Sequence, residues 1–133
     1  MAKTATRLLY LLILIAALLA ALASATRHHR RIPRVIIKNI TPQEATVVCR
    51  GPSVSGARKL NGTGSEYRFA VYPTDVDTPC TAIWNVRYFT DWEGFDPSRD
   101  AKLETVYFEL RDDGVYYSPD SHKWMLEVPW GTE

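Results

Sequence analysis

Four carboxylates lie within ten residues of one another, at Asp91, Glu93, Asp96 and Asp100 of the segment TDWEGFDPSRDAK (90–102). Such a set is the raw material of a glycosidase, which needs two carboxyl groups at a fixed separation, one with its pKa raised by burial. Here they sit in a polar stretch, where solvated carboxylates are the default. Triad chemistry needs a histidine inside the folded domain, and His122, between Ser121 and Lys123 in a turn, is the only one there; it is expected at the surface. No glycine loop of the phosphate-cradling kind occurs. Asp75 with Asp77, or the Asp91 to Asp100 group, offers the hard oxygen atoms that calcium prefers, but the spacing fits no EF-hand loop. The chain is therefore expected to be no enzyme, with no metal and no cofactor.

The chemistry of Cys49 and Cys80 depends on the compartment, which the first 25 residues decide. Lys3 and Arg7 give a cationic start, Leu8 to Leu22 is an unbroken apolar run, and Ala23-Ser24-Ala25 supplies the small residues of a cleavage site. Residues 1–25 are thus expected to be a secretory signal peptide, removed before Thr26. The rival reading keeps Leu8 to Ala25 as an anchor, close to the shortest span that crosses a bilayer. After cleavage no membrane span is expected. In an oxidising compartment the two cysteines are expected to form one disulfide. Two sequons, Asn39-Ile40-Thr41 and Asn61-Gly62-Thr63, are glycosylation candidates. Asn61, in a glycine-rich turn, is favoured over Asn39, which ends a strand with Pro42 close behind.

Of the 133 residues, 108 remain after the leader, enough for one domain. They carry 14 basic and 15 acidic side chains, unevenly placed. Residues 26–34, with Arg27, Arg30, Arg31, Arg34, His28 and His29, form a basic arm expected to be flexible. From Val35 onward the net charge is −5, which excludes the basic face of a nucleic-acid reader. A monomer is expected.

The elements that must position these residues are strands. RVIIKNI (34–40) and ATVVCR (45–50) are β-branched runs parted by Pro42. GPSVSG (51–56) and NGTGS (61–65) have loop chemistry. EYRFAVY (66–72) puts Tyr67, Phe69 and Val71 on one face, and CTAIWNVRYF (80–89) groups Trp84, Val86 and Tyr88. Val106, Phe108 and Leu110 alternate, as do Trp124, Leu126, Val128 and Trp130. Asp112-Asp113-Gly114 between these last runs signals a type I′ hairpin, whose central residues need positive φ. With no helical stripe outside the leader, residues 35–133 are predicted to be all-β, a small antiparallel β-sandwich of about seven to eight strands. Trp84 is expected in the core, and Trp124 and Trp130 in core or edge packing. The segment 90–102 lacks pattern and is expected to be a loop or irregular helical turn. There Trp92, Glu93, Phe95 and Asp96 form the candidate recognition loop, with Trp92 either an exposed anchor or a cap on one end of the sandwich.

The order Val35-Ile36-Ile37-Lys38-Asn39-Ile40, a hydrophobic run into Cys49, Tyr67-Arg68-Phe69, Cys80 followed by Trp84, Arg111-Asp112-Asp113-Gly114-Val115-Tyr116 and a closing Pro129-Trp130 resembles the plant self-incompatibility S-protein homologue family. The resemblance implies a small secreted plant β-sandwich, often made in reproductive tissue, whose best-understood members are stigma-secreted ligands for a pollen membrane receptor. The chain departs from the pattern in lacking a second cysteine pair, in having GPSVSG after Cys49 in place of an acidic turn, and in having Phe108 where tryptophan is common. Two functions are expected. One is an extracellular signalling ligand that engages a plasma-membrane receptor through the connections 51–65, 73–79 and 90–102. The other is a secreted carbohydrate-binding or defence module that stacks Trp92 and nearby aromatics on sugar rings.

Overall fold

The computed structural model describes residues 2–27 and 32–132, which divide into two units between Arg31 and Ile32. The first is a single helix, α1 (Ala2–Arg27). Its leucines and alanines are strong helix formers, and the stretch Thr4–Ala21 is long and apolar enough to cross a membrane and is wholly exposed. A helix apolar all round, with no polar face, matches the composition of a secretory leader. His28, His29, Arg30 and Arg31 of the basic arm lie outside the described residues.

The second unit runs β1 (Arg34–Asn39), β2 (Ala45–Gly51), β3 (Val54–Leu60), β4 (Ser65–Ala70), β5 (Thr78–Trp84), β6 (Tyr88–Phe95), α2 (Pro97–Asp100), β7 (Thr105–Arg111), β8 (Gly114–Ser118), β9 (Met125–Pro129) and β10 (Gly131–Thr132). The strands form two five-stranded sheets, ordered β4-β1-β7-β8-β9 and β10-β6-β5-β2-β3. This is the all-β sandwich predicted from period-two patterning. Alternation buries Val35 and Ile37 of β1, Val106, Phe108 and Leu110 of β7, Val47 and Cys49 of β2, and Cys80, Ala82 and Trp84 of β5. Trp92 of the second sheet meets Phe108 of the first at 5.8 Å between ring centroids. Trp130 stacks on Trp84 at 5.6 Å, so the closing Pro129-Trp130 covers the edge of the core. Trp124 is half-buried beside Arg111, whose guanidinium carbon is 5.5 Å from its ring.

The structure corrects the sequence reading in five places. There are ten strands among the described residues, because residues 54–56 of β3 and 90–95 of β6 are expected as loop and β10 is only two residues long. β3 buries Leu60 alone, so it carries no apolar alternation to detect. The sandwich is mixed, since β1 runs parallel to β7 with Val35 opposite Val106; the chain makes the long crossover this requires by passing through both sheets in between. Val86 does not face inward with Trp84. It stands 87% exposed at the tip of the β5–β6 hairpin, with φ 65°. β9 buries little, leaving Leu126 49% exposed. Finally, the arm is bound into the sheet from Pro33 onward: Val71 N–H donates to the Pro33 carbonyl at 2.9 Å and Arg34 N–H to that of Glu104 at 3.0 Å.

The β7–β8 hairpin turns on Asp112-Asp113, with Arg111 opposite Gly114. Positive φ falls on Gly114, at 157°, and on neither aspartate, so the turn is not the expected type I′. The need for glycine is steric. A Cβ at Gly114 would overlap the Val128 carbonyl oxygen and lie 2.8 Å from Pro129 Cα. Gly114→Val is expected to destabilise the fold by about 1 to 3 kcal/mol, read as a lower thermal midpoint. An unchanged midpoint would show that β9 does not pack over the glycine.

Candidate functional site

The connections gather at two ends of the sandwich. At one lie residues 40–44, 61–64, 85–87 and 112–113, tied together by Asn85 N–H to Glu44 O (2.8 Å) and Gly64 N–H to Asn39 O (2.7 Å). At the other lie residues 52–53, 71–77, 96–104 and 119–124. Ser53 Oγ holds this end by donating to Ala70 O at 2.8 Å and accepting from Tyr72 N–H at 3.1 Å.

The candidate recognition loop is overturned as a loop. Residues 88–95 form β6, paired with β5 through Cys80–Trp92 and Ala82–Thr90. Thr90, Trp92 and Gly94 face the core while Asp91 and Glu93 face out. Trp92 is 6% exposed and Phe95 fully buried, so neither can stack on a ligand. Glu93 is exposed, and Asp96 is half-buried, its Oδ1 capping α2 by accepting from Ser98 N–H at 3.0 Å. The chain missed its strand signal because Thr90 and Gly94, the inward partners of Trp92, are not apolar.

The four carboxylates play separate parts. Asp100 is wholly buried. Its Oδ1 accepts from Arg99 Nε and Tyr117 Oη, both at 2.8 Å, and its Oδ2 from Asp96 N–H at 2.9 Å and Arg99 Nη2 at 2.7 Å. That carboxylate is saturated, with no lone pair left for a substrate proton. Burial first, then the bond to Asp100, pushes the Tyr117 hydroxyl pKa up. Glu93 is raised above its ordinary 4.5, by partial desolvation first and then by the negative charges of Asp77, Asp96 and Asp91. Asp96 is lowered, chiefly by the Ser98 hydroxyl. His122 is exposed, its N–H donating to Asp120 Oδ1 at 2.9 Å. Among the described residues, no three His, Cys, Asp or Glu side chains converge to hold a metal ion.

A raised carboxylate pKa means that ionised Glu93 is disfavoured in the folded state. The penalty is absent below the unfolded value and complete above the folded one. Glu93→Gln is therefore expected to stabilise the protein slightly at pH 7, by no more than about 0.5 kcal/mol at so exposed a site. The gain should disappear as pH falls below 4.5, as measured by thermal midpoints of both proteins across that range.

Cys49 and Cys80 form the expected disulfide. The two sequons diverge. Asn61 is exposed, whereas Asn39 is wholly buried. Its Nδ2 donates to Gln43 O (2.7 Å) and Leu60 O (3.2 Å), and its Oδ1 accepts from Thr41 N–H and Oγ1. Thr41 Oγ1 also accepts from Trp84 Nε1 at 2.7 Å. The network stitches β1 to β3 and β5. A period-two signal was available for it, because Asn39 falls in phase with Val35 and Ile37.

Two open surfaces were missed. Ile83, Val86 and Phe89 expose apolar area around a groove of about 590 Å³ on the outer face of the second sheet. On the first sheet, Ile36, Lys38, Glu66, Arg68, Tyr107 and Trp124 line one of about 240 Å³.

No family model matches the chain, and neither does any curated protein. Among solved structures, the fold matches one described as a self-incompatibility protein homologue from "a widespread family of small, highly stable, secreted proteins from plants". The TM-score is 0.59 at 20% sequence identity, over 78% of this chain and 98% of the solved one. At this identity the likeness shows a shared fold.

Proposed function

We propose that this chain is a secreted plant protein of the self-incompatibility protein homologue family, acting outside the cell as a non-catalytic ligand for a plasma-membrane receptor. The observation that carries the reading is the shared sandwich, which spans 98% of the solved chain, here preceded by an apolar leader-like helix. A rigid scaffold with its connections at the surface is the usual platform for recognition. The contact surface is the end that carries 71–77, 96–104 and 119–124. Asp77, Asp96 and Asp91 lie close enough to Glu93 for their charges to act on it, and this acidic grouping suits a basic receptor surface. Saturable binding of the purified protein to plant plasma-membrane vesicles, weakened by Glu93→Lys and unaffected by free sugars, is expected. Binding that does not saturate would overturn the reading.

A carbohydrate-binding role has one observation in its favour: Tyr107 and Trp124 line the groove on the first sheet beside Glu66 and Arg68. Glycan-array binding that is lost in Trp124→Ala, together with competition by free sugars on vesicles, would replace the receptor reading with this one.

A further inference from the structure

We propose that the exported protein carries an N-linked glycan on Asn61 and none on Asn39, although both satisfy the acceptor pattern. The proposal rests on the reading of the chain as a secreted protein. Residues 61–64 are all exposed. Gly62 and Gly64 hold φ of +84° and +93°, and a Cβ built on either meets nothing within 4 Å. The Asn61 amide thus stands on an open turn with room for a bulky substituent.

At Asn39 the fold has used every group that the modification needs. Transfer of the oligosaccharide forms a bond from the asparagine Nδ2 to the sugar C1 and breaks the C1–O bond to a lipid diphosphate donor. The lipid diphosphate leaves, and Nδ2 gives up one proton. Both Nδ2 hydrogens of Asn39 are engaged, with Gln43 O at 2.7 Å and Leu60 O at 3.2 Å. A glycan would strip one of these carbonyls of its partner inside the protein and force a large polar group into a site with no exposure. The acceptor hydroxyl of Thr41 is likewise committed to Asn39 Oδ1 and Trp84 Nε1. A chain glycosylated at Asn39 before folding cannot close the sandwich, so it does not leave the cell. One glycosylated at Asn61 folds unhindered. The glycan then projects from the end bearing 40–44 and 85–87 and leaves the Glu93 end uncovered.

The test expresses the full chain in plant cells and analyses the exported product by peptide mass spectrometry before and after peptide-N-glycanase. One glycan is expected, with aspartate replacing Asn61 after enzyme treatment. Asn61→Gln and Thr63→Ala should each abolish it without changing the thermal midpoint of the deglycosylated protein. An exported product that carries a glycan on Asn39, or none on Asn61, overturns the proposal. Retention of the unprocessed chain in the cytosol overturns instead the secreted reading. The chain is then exported behind a leader of known function in place of residues 1–25, and an unmodified Asn61 on that product overturns the proposal by itself.

Discussion

Asp100→Ala is expected to lower the unfolding free energy by about 3 to 5 kcal/mol, the cost of removing one partner from a buried ion pair. The carboxylate has no exposure, and the Arg99 side chain keeps only 23% of its own. Arg99 is pinned further by its position over two rings, its guanidinium carbon 4.2 Å from the centroid of Tyr117 and 5.7 Å from that of Phe108. Without Asp100 it retains Glu127 at 3.1 Å and the Glu93 carbonyl at 3.0 Å, but the Tyr117 hydroxyl loses its partner in the interior and the half-buried Asp96 N–H loses its own. Each unpaired buried donor costs about 1 to 3 kcal/mol. Glu127→Gln supplies the contrast. That carboxylate is 25% exposed, and its loss should cost less than about 1 kcal/mol. Urea midpoints followed by tryptophan fluorescence measure both. Equal midpoints for Asp100→Ala and the parent would show that the carboxylate does not anchor α2 to β8.

Legibility in the sequence followed how far each strand departs from a two-sided environment. β1, β2, β5 and β7 present apolar side chains on one face and polar ones on the other, and their alternation was readable directly. β6 obeys the same period, yet its inward positions are Thr90, Trp92 and Gly94. Gly94 is small because it lies over the disulfide: a Cβ there would overlap Cys80 Sγ. A residue chosen for close approach hides the pattern that would identify its strand, so the sequence places Trp92 in a loop, as an exposed anchor or a cap, and not in a strand. Asn39 misled in the opposite sense. It satisfies a surface motif while occupying an inward position, and only the strand phase separates the two meanings. The Asp100 network was not legible at all, because its partners Arg99, Tyr117 and Asp96 meet through tertiary packing of α2 against β8. For the same reason, the carboxylates that first pointed to catalysis turned out to be a cap, a buried anchor and two surface charges.

The second large effect belongs to the disulfide. Replacing both Cys49 and Cys80 by alanine is expected to cost about 3 to 4 kcal/mol, the chain-entropy estimate for a loop of this size, given a sequence separation of 31. The two residues already face each other across β2 and β5, so removing the bridge leaves the native pairing in place and acts on the unfolded chain. The loop it closes is the part of the chain that runs through β3 in the second sheet, crosses to the first as β4 and returns to the second as β5. Freed of that restraint, the unfolded chain expands and exposes more surface. The denaturant midpoint should therefore fall while the slope m rises, since m scales with the area exposed on unfolding. A fall in midpoint at constant m would assign the loss to native packing around Gly94 instead. Access gives an independent check. Both cysteines are at most 1% exposed, and an attacking thiolate must reach a sulfur atom, so reduction under native conditions has to wait for the sheet to open. Its rate should climb steeply with sub-denaturing urea. Reduction as fast in buffer as in denaturant would mean that the bridge lies open to solvent and cannot be the pin at the centre of the second sheet.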